Sequence, residues 1–109
     1  MRVAHANFYV THGSLLLTLP AGAIILDVYT QPPDENYQAP QHHIAYAFDP
    51  AAPGSIHHFY VTSGFEDILQ PDGHLYTGHL QYVGSFITTA LRMYLFYLGE
   101  EPLVLQLPG

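Results

Sequence analysis

Eight histidines and nine acidic residues are the groups through which this chain could do chemistry. The histidines are His5, His12, His42, His43, His57, His58, His74 and His79. Two pairs of them are sequence neighbours. Adjacent residues of a β-strand point to opposite faces, so neither His42-His43 nor His57-His58 can close on one ion as a chelate. A loop site made from His74, His79, Asp72 and Glu66 or Asp67 is the alternative, because loops can fold back on themselves. The plainer reading is half-exposed strand and loop histidines, so no metal and no cofactor are assigned. Protonating all eight would move the formal charge from −7 to +1, which makes the surface charge pH-dependent in principle.

Covalent catalysis finds little support. The chain has no cysteine, which excludes a thiol nucleophile, disulfides and thiolate metal sites, and leaves cysteine usage silent about compartment. Gly13-Ser14 and Ser63-Gly64 lack the G-x-S-x-G pattern of a nucleophile elbow. Asp34-Glu35, Glu66-Asp67 and Glu100-Glu101 read as solvated turn ends rather than acid–base dyads. There is no Gly-rich phosphate loop and no lysine to serve one. The expectation is a non-enzymatic protein.

Composition narrows the partners. The 109 residues make one domain, 1–109, with 49% hydrophobic and only 10% charged residues. Two arginines cannot neutralise a run of phosphates or dock on an anionic bilayer, so neither nucleic acid nor a membrane is expected as partner. No apolar run reaches the roughly 18–20 residues of a spanning helix. Arg2, Leu15-Leu16-Leu17 and Ala21-Gly22-Ala23 imitate a signal peptide, but Thr18 and Pro20 interrupt its apolar part. The expected location is a virion or the host cytoplasm.

The elements that must position these residues are strands, because the dominant hydrophobic period is two. Residues 3–10, 14–19, 23–30, 43–49, 55–62, 80–88, 91–98 and 103–107 all read as strands. Residues 43–49 and 55–62 read as a hairpin about 49–54, pairing Tyr46 with His58 and Ile44 with Tyr60. Residues 31–41 and 63–79 are long loops, with one helical turn expected over 65–69. Residues 99–102 read as a turn, and 101–109 as an extended C-terminal tail or edge strand. The fold class is all-β: a single-domain antiparallel β-sandwich or small barrel of about seven or eight short strands.

Residues 91–98 are apolar on both faces, and such a strand needs two covers. One is the domain core; the other is a terminal segment, a second sheet or another chain. Tyr94, Phe96, Leu103, Leu105 and Leu107 are therefore interface candidates. Tyr37, Phe65 and Tyr76, aromatic residues in the long loops, join them as anchors.

A family pattern is also present. Leu19-Pro20-Ala21-Gly22-Ala23-Ile24-Ile25-Leu26-Asp27-Val28 resembles the L-P-x-G-A-x-I-L-x-V segment of a family of small uncharacterised β-proteins found mainly in tailed phages and prophages. Ile44-Ala45-Tyr46-Ala47-Phe48-Asp49-Pro50 is similar to that family's W-A-L-V-D-P stretch. His58-Phe59-Tyr60-Val61-Thr62-Ser63-Gly64 and Gln81-Tyr82-Val83-Gly84-Ser85-Phe86 resemble its later strands. The chain departs from the pattern in having no tryptophan and a longer 31–41 loop. The resemblance implies a phage origin and a compact β fold, and it carries over no catalytic residue. The expected function is a phage-type structural or protein-interaction module, such as a decoration or tail-associated virion component that joins a protein partner or a homo-oligomer. Alternatives are an acidic inhibitor of a host defence protein, using Asp34, Glu35, Glu66, Asp67 and Asp72, and a small metal-binding or hydrolytic protein using the loop histidines.

Overall fold

Alternation of apolar and polar residues becomes seven strands in the computed structural model, which describes residues 1–64, 66–70, 72–88 and 91–102. They are β1 (Arg2–Phe8), β2 (Gly13–Pro20), β3 (Ile24–Gln31), β4 (Gln41–Phe48), β5 (Gly54–Thr62), β6 (Gln81–Ile87) and β7 (Arg92–Pro102). All pairings are antiparallel, in a three-stranded sheet of order β1-β4-β3 and a four-stranded sheet of order β2-β5-β7-β6. The described residues form no helix, and none is long and apolar enough to cross a membrane.

The core lies between the sheets. Ile44 from β4, Phe59 and Val61 from β5 and Leu95 from β7 are wholly buried. Phe8, Leu19, Ile25, Val28, Phe86 and Met93 belong to the same cluster. Each such side chain contributes about 1.5–3 kcal/mol of burial. Strands β3 and β6 close one side of the sandwich. A Cβ built on Gly84 would stand 3.0 Å from Val28 Cγ1, so the glycine permits that approach. On the opposite side β1 and β2 are sheet edges, each bordered among the described residues by only one strand.

Three sequence expectations are corrected. Residues 43–49 and 55–62 do not pair, because β4 lies between β1 and β3 while β5 lies between β2 and β7. Alternation tells which side chains face inward but not which strand is the neighbour. The connecting segment, with Pro50 and Pro53, carries the chain from one sheet to the other instead. Its Ala52 N–H donates to the Asp49 carbonyl, and the Pro53 carbonyl accepts from Ala21 N–H.

Residues 99–102 are not a turn. They continue β7, and Ser55 faces Pro102. Gly99, at φ +120°, lies where the register shifts beside His58 and Phe59, so it serves a β-bulge. Residues 66–69 form no helical turn; Leu69 makes an isolated antiparallel bridge to Leu75.

The doubly apolar strand finds part of its second cover within its own chain. Met93 and Leu95 face the core, whereas Tyr94 and Phe96 are half-buried on the outer face. The β5–β6 connection crosses that face: Tyr60 donates its hydroxyl to the Asp67 carbonyl at 3.4 Å, and Ile68 lines a cavity with Tyr94 and Phe96. The greasy face of 91–98 therefore does not by itself demand another chain. The strand expected over 103–107 lies outside the described residues.

Candidate functional site

Among the described residues, three side-chain assemblies could do chemistry. The first sits between β5, β7 and the β2–β3 turn. Pairing of Ser55 and His57 on the inward face of β5 follows from the period of two, and both are buried. His57 Nε2 lies 3.0 Å from the Pro20 carbonyl and 3.0 Å from Ser55 Oγ. A carbonyl only accepts, so Nε2 carries a hydrogen. With that hydrogen on Nε2, Nδ1 can accept from the Tyr97 hydroxyl, 2.8 Å away. Burial, helped by the nearby Glu100 charge, pushes the Tyr97 hydroxyl up to about 12, so it keeps its proton.

Ser55 Oγ donates to Glu100 Oε2 at 2.7 Å, and Gly22 N–H donates to the same carboxylate. The Ser55 hydroxyl hydrogen bond is the main cause holding the Glu100 carboxyl below its usual range, followed by Gly22 N–H and His57. Serine, histidine and glutamate thus meet, but with their hydrogens directed away from nucleophilic use. Ser55 gives its proton to Glu100 rather than to His57, and His57 Nε2 is a donor where a general base must accept. Chemically the set is a latch joining two strands and a turn.

The second assembly is the cavity of about 380 Å³ under the β5–β6 connection, lined by Thr62, Ser63, Gly64, Glu66, Ile68, Tyr94 and Phe96. Glu66 is fixed at its mouth. Its Oε1 accepts from the Thr62 hydroxyl at 2.8 Å and stands 2.6 Å from His12 Nε2. The Thr62 hydrogen bond is the largest cause holding its carboxyl below the ordinary range, with His12 and Ser63 N–H adding to it against partial desolvation. Tyr82 packs beside the cavity, with its ring centroid 5.5 Å from that of Phe96.

The third is a histidine–tyrosine row on the outer face of the smaller sheet. Tyr29 stacks on His43 with centroids 5.0 Å apart, and its hydroxyl lies 3.0 Å from His5 Nδ1. His43 Nε2 is buried and has no hydrogen-bond partner among the described residues.

The expected site residues separate. Tyr94 and Phe96 meet at the cavity. Tyr76 lies at the other end of the same connection, with its hydroxyl 3.0 Å from the Leu98 carbonyl. Tyr37 is exposed in the β3–β4 connection, where its N–H donates to Asp34 Oδ1. Phe65, Leu103, Leu105 and Leu107 lie outside the described residues. The loop metal set is not assembled: His74 pairs with Asp72 at 3.1 Å, while Glu66 turns to His12. Among the described residues no three His, Asp or Glu side chains are placed to hold an ion. The five loop acids divide between two connections, Asp34 and Glu35 after β3, and Glu66, Asp67 and Asp72 after β5.

Sequence reasoning missed the Ser55–His57–Tyr97–Glu100 latch, although the alternation of Ser55 and His57 on one strand face was a usable signal. The pairing of His12 with Glu66 had none. Compared with known families, curated proteins and solved structures, the chain matches none.

Proposed function

We propose that this chain is a non-enzymatic interaction module that associates through strand addition at the free edge of β2, its occupant a second copy of the chain. The observation that carries this reading is the edge itself. Among the described residues β2, Gly13–Pro20, borders only β5, and its eight residues include no charged side chain. Proline stands only at its last position. Edge strands of monomeric β-proteins are ordinarily guarded by lysine, an internal proline or a bulge. Here Leu16 stands 51% exposed on the edge strand, with none of these guards beside it.

Two such edges meeting about a two-fold axis pair antiparallel and extend the four-stranded sheet across both copies. The smaller sheet carries further exposed apolar surface. Val3, Ala47 and Ile24 stand in register across β1, β4 and β3, with Val3 and Ile24 more than half exposed. The hydrogen-bond directions around Ser55 and His57 support the non-enzymatic part of the reading. Placement in a phage particle rests on the sequence resemblance alone.

The test is the solution mass of the full chain by sedimentation, with Leu16→Lys and Thr18→Lys as edge variants. Self-association at about 100 µM or below, lost in both variants while the fold persists, is the expected result. A single 12.1 kDa species throughout that range would overturn the proposal.

A further inference from the structure

The cavity under the β5–β6 connection has a chemistry that strand addition does not use. Its floor is two aromatic rings, Tyr94 and Phe96, projecting from the same face of β7. Its rim carries a carboxylate, Glu66, and its remaining wall is the apolar side chain of Ile68 with the polar Thr62 and Ser63. Aromatic faces attract a cation through the ring quadrupole, and a nearby carboxylate adds a direct charge contact. A volume of about 380 Å³ suits a small organic group.

Apart from His12, which meets Glu66 Oε1 from outside the lining, the described residues place no cationic side chain at the cavity. The chain has no lysine and two arginines. Arg92 shares the outer face of β7 with Tyr94, but its guanidinium reaches the other way, donating to Ser85 Oγ on β6 at 2.9 Å. The donors on Glu66 converge on Oε1: Thr62, Ser63 and His12 all meet that one oxygen. No donor among the described residues reaches Oε2. The formal charge of −7 draws cations to the surface as a whole.

We propose that this cavity binds an organic cation, an alkylammonium or guanidinium head seated against the Tyr94 and Phe96 rings beside the Glu66 carboxylate. The head's charge meets Oε2 and the ring faces, and its alkyl stem lies along Ile68. Such a head can come from a free amine or from a lysine or arginine side chain of another protein.

The test is an NMR titration of the full chain at neutral pH with n-butylammonium, with Nα-acetyl-lysine methylamide, and with 1-butanol as the neutral counterpart. Both ammonium probes should shift resonances of Thr62, Ile68, Tyr94 and Phe96, and 1-butanol should bind at least about tenfold more weakly. Glu66→Gln keeps a hydrogen-bond acceptor for Thr62 and should weaken ammonium binding by about tenfold or more. Phe96→Leu keeps the carboxylate and the cavity's apolar lining, and should also weaken it. Tighter binding of the lysine amide would identify a protein side chain as the source, and tighter binding of butylammonium a free amine. Equal affinity for 1-butanol, undiminished binding by both variants, shifts mapping to other acidic positions, or no binding at about 10 mM would each overturn the proposal.

Discussion

The Tyr97 hydroxyl stands 2.8 Å from Nδ1 of a histidine, His57, that is fully enclosed by the sandwich. That contact joins the two central strands of the larger sheet through side chains, in addition to their backbone ladder. It also completes the hydrogen bonding of a ring with no access to water.

Tyr97→Phe removes the donor and leaves Nδ1 buried without a partner. The expected loss is about 1–3 kcal/mol, the usual cost of stranding a buried polar atom. Urea unfolding of the variant should show a lower midpoint with an unchanged slope. An unchanged midpoint would mean that His57 finds another donor.

Stability should fall on the acid side in two stages. Burial, followed by the neighbouring His43, lowers the pKa of His42 from 6.5, so the unfolded chain takes up its proton first. That part of the stability is complete above pH 6.5 and declines as pH falls below it. Glu100 is also lowered, from 4.5, so its contribution is present above that pH and disappears as pH falls through its lower folded value. Denaturation measured from pH 8 to pH 3 should show both declines, and Glu100→Gln should reduce the second alone, leaving the share of Glu66 and Asp72, whose carboxyls are also lowered.

His43 offers the opposite case. Its Nε2 is enclosed beneath the Tyr29 ring without a partner among the described residues. Replacing the imidazole by a ring with no polar atom, in His43→Phe, relieves that desolvation. Thermal unfolding should show a gain of about 1 kcal/mol, and a loss of stability would reveal an acceptor or donor serving Nε2.

Tyr76 reaches β7 only by folding across Gly78. A Cβ on that glycine would lie 2.6 Å from the Tyr76 hydroxyl, which itself stands 3.0 Å from the Leu98 carbonyl. Gly78→Ala should therefore displace the ring, and Tyr76→Phe should lose the Leu98 contact while leaving the ring in place. Amide exchange at Gly99 to Glu101 should quicken more in the alanine variant than in the phenylalanine variant. Equal exchange in both would show that the hydroxyl, not the ring, holds that segment.

Much of the fold was legible because a period of two survives any choice of neighbour. Residues 55–62 and 91–98 alternate or stay apolar, and both became strands, the first within a residue of its expected bounds and the second running on to Pro102. Pairing was not legible. Tyr46 and His58 sit on facing sides of a proline-rich connection and look like hairpin partners, yet they belong to different sheets. Gly99 was ambiguous for a related reason: the same backbone freedom serves a turn or a bulge, and only the partner strand decides. At the candidate cavity, Tyr94 and Phe96 were visible as surplus apolar surface. Glu66 was not visible as their companion, because a loop carries no period to say where it lands.

The placement of β7 between β5 and β6 has a consequence for synthesis on the ribosome. Until its residues emerge, β5 can ladder only with β2, and β6 has no partner in its sheet. The half-made larger layer then presents two open borders through most of translation. Formation of the layer must wait for its last described strand, a late and long-distance closure that favours slow folding and early sticking between nascent chains.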